Sequence, residues 1–139
     1  TLPHDDAIGA HSQAVLEHIA LKDFDRMQLE IARILKPNGV VSHRVDLKDH
    51  LGGGLNNLRF PERLWESKFF SSSGFYTNRL RFNQILESME LAGLEVRLLG
   101  KESWQSLPIE RSSLDQQFSN LKDSELLVKS FDVLNFKKR

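Results

Sequence analysis

The sequence contains no cysteine. That excludes a disulfide framework, a thiolate zinc site and a cysteine nucleophile. It has no net charge either, since Lys+Arg and Asp+Glu both number 19. Proteins that grip nucleic acid by its phosphates carry an excess of Lys and Arg. The densest basic cluster here is Lys137-Lys138-Arg139, so nucleic acid is not an expected partner. No apolar run approaches the roughly 20 residues that span a bilayer. No signal-peptide pattern of basic start, apolar middle and small-residue end is present. The expectation is a cytoplasmic protein with no membrane partner. The sequence opens on Thr1 rather than Met, which reads as a cut or processed start. There is no internal repeat, linker or low-complexity tract.

What is present fits one ordinary domain spanning 1–139. Its 139 residues, 40% hydrophobic and 27% charged, are enough to bury a core without staples. Residues 7–16 are small-residue-rich and read as a buried strand running into a loop. Asp23 to Leu35 reads as a helix capped by Asp23. Phe24, Met27, Ile31, Ile34 and Leu35 share its apolar face, and Asp25, Gln28 and Glu30 turn outward. Lys36-Pro37-Asn38-Gly39 stops it with a cation, a breaker and turn-tolerant residues. Residues 39–47 are valine-rich and read as a strand. Strand, helix and strand at this spacing make a right-handed βαβ unit with parallel strands.

Residues 48–82 differ in character. Gly52-Gly53-Gly54, Pro61 and Ser71-Ser72-Ser73-Gly74 punctuate an aromatic-rich stretch holding Phe60, Trp65, Phe69, Phe70, Phe75 and Tyr76. Long connections of this kind are uncommon unless they cover something, so the segment reads as a lid-like insertion. A short helix over 62–69 places Pro61 at its first position. Asn83 to Ala92 reads as a helix capped by Asn83 and ended by Gly93. Residues 94–99 form a strand, 101–127 a polar stretch with one or two short helices, and 129–137 a final strand.

Two stretches go beyond a generic α/β pattern: Ser12-Gln13-Ala14-Val15-Leu16-Glu17-His18-Ile19 and, one helix later, Arg33-Ile34-Leu35-Lys36-Pro37-Asn38-Gly39. Together they resemble the middle of class I S-adenosylmethionine-dependent methyltransferases. There a fourth strand ends in S-x-x-VLEH and a following helix ends in R-hydrophobic-LKP-G-G. Asn38 replaces the first glycine, and Asn also accepts turn geometry. Downstream, Val45 to His50, Asn57 to Phe60, Leu64 to Ser67 and Phe75 to Arg81 resemble a subgroup of bacterial methyltransferase-like proteins. The resemblance implies an α/β, partial Rossmann-like fold: strands 4, 5, 6 and 7 of the order 3-2-1-4-5-7-6, with flanking helices. It also implies a truncated domain. The family's glycine-rich cofactor turn and ribose-binding acid have no counterpart here, because Gly52-Gly53-Gly54 follows the wrong strand.

The resemblance further implies S-adenosylmethionine as cofactor, with a small-molecule or glycan-type acceptor for the complete form. His11, Ser12, Gln13, Ala14 and Glu17 would border the cofactor, although Glu17 could equally cap backbone N–H groups and His18 pack under the sheet. His18, His43 and His50 are candidate bases, since imidazole titrates near neutral pH. His50 lies beyond the fifth strand, at the edge where open α/β sheets bind ligands, and reads alternatively as a solvated loop histidine. Arg59, Arg63, Arg79 and Arg81, with Trp65 and Tyr76, are candidate acceptor-side residues or parts of a packed lid. A metal site is not expected: strand alternation puts His43 and Asp46 on opposite faces. The chain alone is expected to be inactive and to bind cofactor weakly or not at all. The alternative is a non-catalytic, self-associating module that forms a homodimer through an exposed sheet edge near residues 7–16.

Overall fold

Gly39 makes the first crossover possible. A Cβ at this position would lie 2.7 Å from Leu35 Cδ1 and 3.1 Å from the Lys36 carbonyl, so a larger residue would displace the buried Leu35 side chain and crowd the turn that ends the helix. The computed structural model describes residues 9–138. In it, β1 (Gly9–Gln13), α1 (Leu21–Ile34) and β2 (Val40–Asp46) form the expected βαβ unit. The strands pair in parallel, Gly9 with Val40 through Gln13 with Arg44. Segment 48–82 follows, with α2 (Glu62–Trp65) and α3 (Lys68–Ser71), and then α4 (Phe82–Leu91) and β3 (Leu94–Ser103). Two short helices, α5 (Gln116–Ser119) and α6 (Asp123–Leu126), lead into β4 (Val128–Lys137).

The sheet order is β1-β2-β4-β3. β4 runs antiparallel to both neighbours, so β3 points the same way as β1 and β2. This is an open, mixed α/β sheet compatible with the Rossmann-like class. Helices α1 and α4 cover one face. Phe24, Ala32 and Leu35 meet Ile85, Met89, Val41, Val45, Phe131 and Val133 there. The opposite face is polar: Arg44 on β2 pairs with its cross-strand neighbour Asp132 at 3.0 Å. A second core of Leu55, Leu58, Ile109, Leu114, Phe118 and Leu126 joins the 48–82 segment to residues 109–126.

Several sequence expectations need correction. β1 is exposed along almost its whole length, because among the described residues only β2 flanks it; residues 7 and 8 of the expected strand lie outside the described ones. Helix α1 starts at Leu21 with Ala20 at its N-cap, and Asp23 pairs instead with Arg26 at 2.8 Å. Its buried stripe is Phe24, Gln28 and Ala32, continued by Leu35, while Met27 and Ile34 are 40% and 61% exposed. The helix is therefore rolled toward α4, and Ile31 and Ile34 line a cavity beside β1. Helix α4 is capped by a box between Arg81 and Gln84 rather than by Asn83, and it ends at Gly93 with φ +92°. β3 runs four residues past Leu99. Its pairing with β4 shifts register between Leu98 and Gly100, which lets the strand bend and continue.

Candidate functional site

Ala14 turns the chain off the end of β1. Its φ of +53° is left-handed, a conformation that costs a non-glycine residue about 1 kcal/mol and gathers at functional sites. Its N–H still reaches the Arg44 carbonyl at 2.9 Å. The turn throws Leu16–His18 into one turn of 3-10 helix across the C-terminal edge of the sheet. Asn78 holds that turn from the other side. Its side-chain amide donates to the carbonyls of Leu16 (2.8 Å) and Ile19 (2.9 Å), and its backbone N–H donates to the Glu17 carbonyl at 2.8 Å. The S-x-x-VLEH stretch and the 48–82 segment are thus joined at one place.

A cavity of about 470 Å³ opens there, lined by His18, Leu21, Lys22, Glu66, Ser71 and Tyr76 among others. The Tyr76 hydroxyl donates to Glu66 Oε1 at 2.7 Å and accepts from the Leu21 N–H at 3.2 Å. Burial raises the Tyr76 phenol, and the Glu66 carboxylate raises it further. Glu66 is itself raised above the usual carboxylate range by burial, and its Oε2 has no partner. His18 Nδ1 lies 3.4 Å from the Tyr76 carbonyl. A carbonyl only accepts, so in the neutral ring the proton sits on Nδ1 and the lone pair on Nε2. His50 stacks on His18, with ring centroids 5.1 Å apart and planes at 13°. Among the described residues, no group of three or more His, Cys, Asp or Glu side chains converges as a metal site.

The other candidates fall in three places. His11, Gln13 and Ala14 are exposed along β1 and its end. Glu17 is buried with Oε2 unpartnered, and desolvation raises its pKa. Ser12 points to the α1 side of the sheet, where its Oγ meets His43 Nδ1 at 2.5 Å. Arg59 is exposed and donates to Asn56. Trp65 and Arg79 are buried inside the 48–82 segment: the Arg79 guanidinium donates to the Asn57 (3.1 Å) and Phe60 (2.6 Å) carbonyls. It also lies 5.1 Å from the ring centres of Trp65 and Phe118. Glu66 was not foreseen. It sits ten residues from Tyr76, across the short helix α3 and two turns, where no periodicity signals a contact.

His43 carries a testable consequence. It is buried on the α1 face, and desolvation, with a smaller push from His11, lowers its pKa to about 4. Between about pH 6.5 and 4 the unfolded chain therefore binds a proton that the folded chain refuses. Stability that is present at pH 7 is lost as pH falls through that window, by about 2 kcal/mol at pH 5. Glu17 and Glu66 oppose this, since raised carboxyl groups favour the folded state toward acid. The comparison is thus with His43→Gln, whose urea midpoint is expected to fall less than the parent's between pH 7 and pH 5. Equal falls would remove His43 as the cause.

No family profile and no curated protein matches the sequence. Among solved structures, the chain is similar to one in a complex between the Haloferax volcanii Trm112 methyltransferase activator and a candidate methyltransferase. They share 18% identity and a TM-score of 0.48, over 100% of this chain and 58% of that one. The chain thus spans less than two thirds of that chain's length, and a likeness of this size carries no argument about what it does.

Proposed function

We propose that these residues form part of a methyl-transfer domain of the class I, S-adenosylmethionine-dependent type, acting on a small-molecule or glycan-type acceptor. One observation carries the reading. The strand order β1-β2-β4-β3 with β4 reversed coincides with the 4-5-7-6 order implied by two motifs that lie off the end of β1 and just before β2. Membership of a Rossmann-like class alone would not require the reversed strand in third place. Among the described residues, no helix is long and apolar enough to cross a membrane, which agrees with an acceptor taken from solution. The proposed partners are that acceptor and a second copy of the chain.

The cofactor-side residues fit in part. The exposed Gln13, the strained backbone of Ala14 and the orphaned Glu17 Oε2 are groups that would border the cofactor, whereas the Ser12 hydroxyl is committed to His43. When bound, the cofactor supplies an activated methyl on a sulfonium. The chain's own part is to orient an acceptor and take its proton. His18 Nε2 is the proposed base, kept in the right tautomer by the Tyr76 carbonyl and backed by His50. Glu66 and Tyr76 form the polar wall against which an acceptor hydroxyl or amine is aligned. Lys22 lies at the rim.

The test is amide and side-chain NMR with S-adenosylhomocysteine at millimolar concentration. Weak binding is expected, with shifts confined to residues 11–18 and His50 and reduced in Ala14→Pro. Absence of any shift in that loop at saturating ligand, or shifts spread evenly over the surface, would overturn the cofactor-side assignment.

A further inference from the structure

The cavity beside Tyr76 holds two opposite charges that do not meet. Glu66 and Lys22 both line it, yet neither forms an ion pair among the described residues. Glu66 Oε1 accepts from the Tyr76 hydroxyl at 2.7 Å. Tyr76 holds its proton tightly, because burial raises it, so this bond leaves the carboxylate's charge uncompensated. Glu66 Oε2 is shielded from water and has no hydrogen-bond partner. Arg79 acts on Glu66 only through space, since its guanidinium is bound to the Asn57 and Phe60 carbonyls. Lys22 is exposed.

The other polar groups of the cavity call for a guest rich in donors. Ser67, Ser72 and Ser73 turn their hydroxyls back onto the carbonyls of Leu64, Lys68 and Phe70. Ser71 lines the cavity and makes no such bond among the described residues. His18 in its neutral form offers Nε2 as an acceptor, because Nδ1 faces the Tyr76 carbonyl. Glu66 Oε2, His18 Nε2 and Ser71 Oγ are therefore acceptors around one space. A hydroxyl brings a single donor to them, whereas an ammonium brings three. A buried acceptor without a donor is costly, and an ammonium both removes that cost and supplies the missing charge.

We infer that this cavity takes a small amino carboxylate, its ammonium seated among Glu66, His18 and Ser71 and its carboxylate reaching Lys22. Guest, Glu66 and Lys22 then sum to no net charge. A single lysine matches a singly charged carboxylate, whereas a phosphate carries nearly two charges and would leave one facing Glu66. The volume of about 470 Å³ falls within the usual range of small-molecule sites. The inference deepens the methyl-transfer reading and rests on it for one point only, that this guest is the methyl acceptor.

The test is NMR titration of the 139-residue chain with glycine, β-alanine and γ-aminobutyrate, and with butylamine and butyrate as the separate halves. One of the three amino acids is expected to shift His18, Lys22 and Ser71. It should bind about threefold more tightly than butylamine, the usual size of an exposed ion pair, and at least about tenfold more tightly than butyrate. Lys22→Ala should erase the advantage over butylamine. Glu66→Gln, which keeps an oxygen for the Tyr76 hydroxyl, should weaken binding at least about tenfold with little change in the urea midpoint. Glu87→Gln, exposed on α4, should change nothing. No binding by any of the three, butyrate binding as well as they do, or binding indifferent to Glu66→Gln would overturn the inference. So would displacement by S-adenosylhomocysteine, which would assign the cavity to the cofactor's own amino-acid end. The titration needs no cofactor. Amino-acid binding here without S-adenosylhomocysteine shifts at residues 11–18 would therefore sink the methyl-transfer reading and leave this ligand class standing.

Discussion

Trp65→Ala is expected to lower the stability of the chain by about 4 kcal/mol, in the middle of the range for loss of a buried aromatic. Trp65 is fully buried, and three kinds of contact meet on it. Its indole N–H donates to the Thr77 carbonyl at 2.6 Å. Its ring lies 5.6 Å from Phe60, 5.7 Å from Phe70 and 6.1 Å from Tyr76. The Arg79 guanidinium sits over it at 5.1 Å. Truncation leaves a cavity, an orphaned carbonyl and a buried cation with one aromatic partner fewer. Trp104, the other tryptophan, packs against the second core and remains as a fluorescent reporter of urea unfolding. Trp65→Phe, which loses only the hydrogen bond and part of the ring, is expected to cost less than half as much. Equal effects would mean that the Thr77 contact, not ring packing, dominates.

Asp49→Ala should be of similar size, about 3 kcal/mol, because it leaves three backbone N–H groups without their charged acceptor. The Asp49 carboxylate accepts from the N–H groups of Leu51 (3.2 Å), Gly54 (2.9 Å) and Asn57 (3.1 Å), fixing the glycine turn. Its charge is also, after that of Glu125, one of two that raise the fully buried Arg81 guanidinium, which desolvation and repulsion from Arg79 pull down to about 10. Glu125 and Asp49 are the anions that hold Arg81 charged. Removing Asp49 takes away the smaller of the two. Asp49→Asn, which keeps the shape and one acceptor, tests this. If charge matters most it should be nearly as damaging as alanine, and if the turn matters most it should recover about half the loss. Double substitution with Arg81→Met should recover stability only in the first case.

The parts of the fold legible in the sequence were those with strong local signals. Valine alternation in β2, the Lys36-Pro37-Asn38-Gly39 stop and Gly93 at the end of α4 each act within a few residues. The roll of α1 was not legible. Gln28 looks like a surface residue by type, yet it is fully buried, while Ile34 looks like core and is exposed. Periodicity finds a helix's apolar stripe but not which part of it has a neighbour. The arginines of the 48–82 segment mislead in the same way. Arg79 and Arg81 look like ligand-binding cations, and they lie inside the segment bonded to backbone carbonyls. His18 and His50 stand 32 positions apart, and only tertiary structure stacks them; the motif gave His18 and the strand end gave His50, without the contact between them.

β4 is the last strand in sequence but the third in the sheet, flanked by β2 and β3. Its Val128, Phe131 and Val133 supply core to the face covered by α1 and α4. While the chain is being made, the β1-β2 pair and β3 therefore have no common partner. They remain two open-edged fragments until residues 128–137 emerge. β2 must then find a strand nearly ninety residues away, as the pairing of Val45 with Phe131 shows. Such distant pairing slows folding and leaves exposed edges vulnerable to misassembly in the interval. The strand that completes the sheet thus also times it.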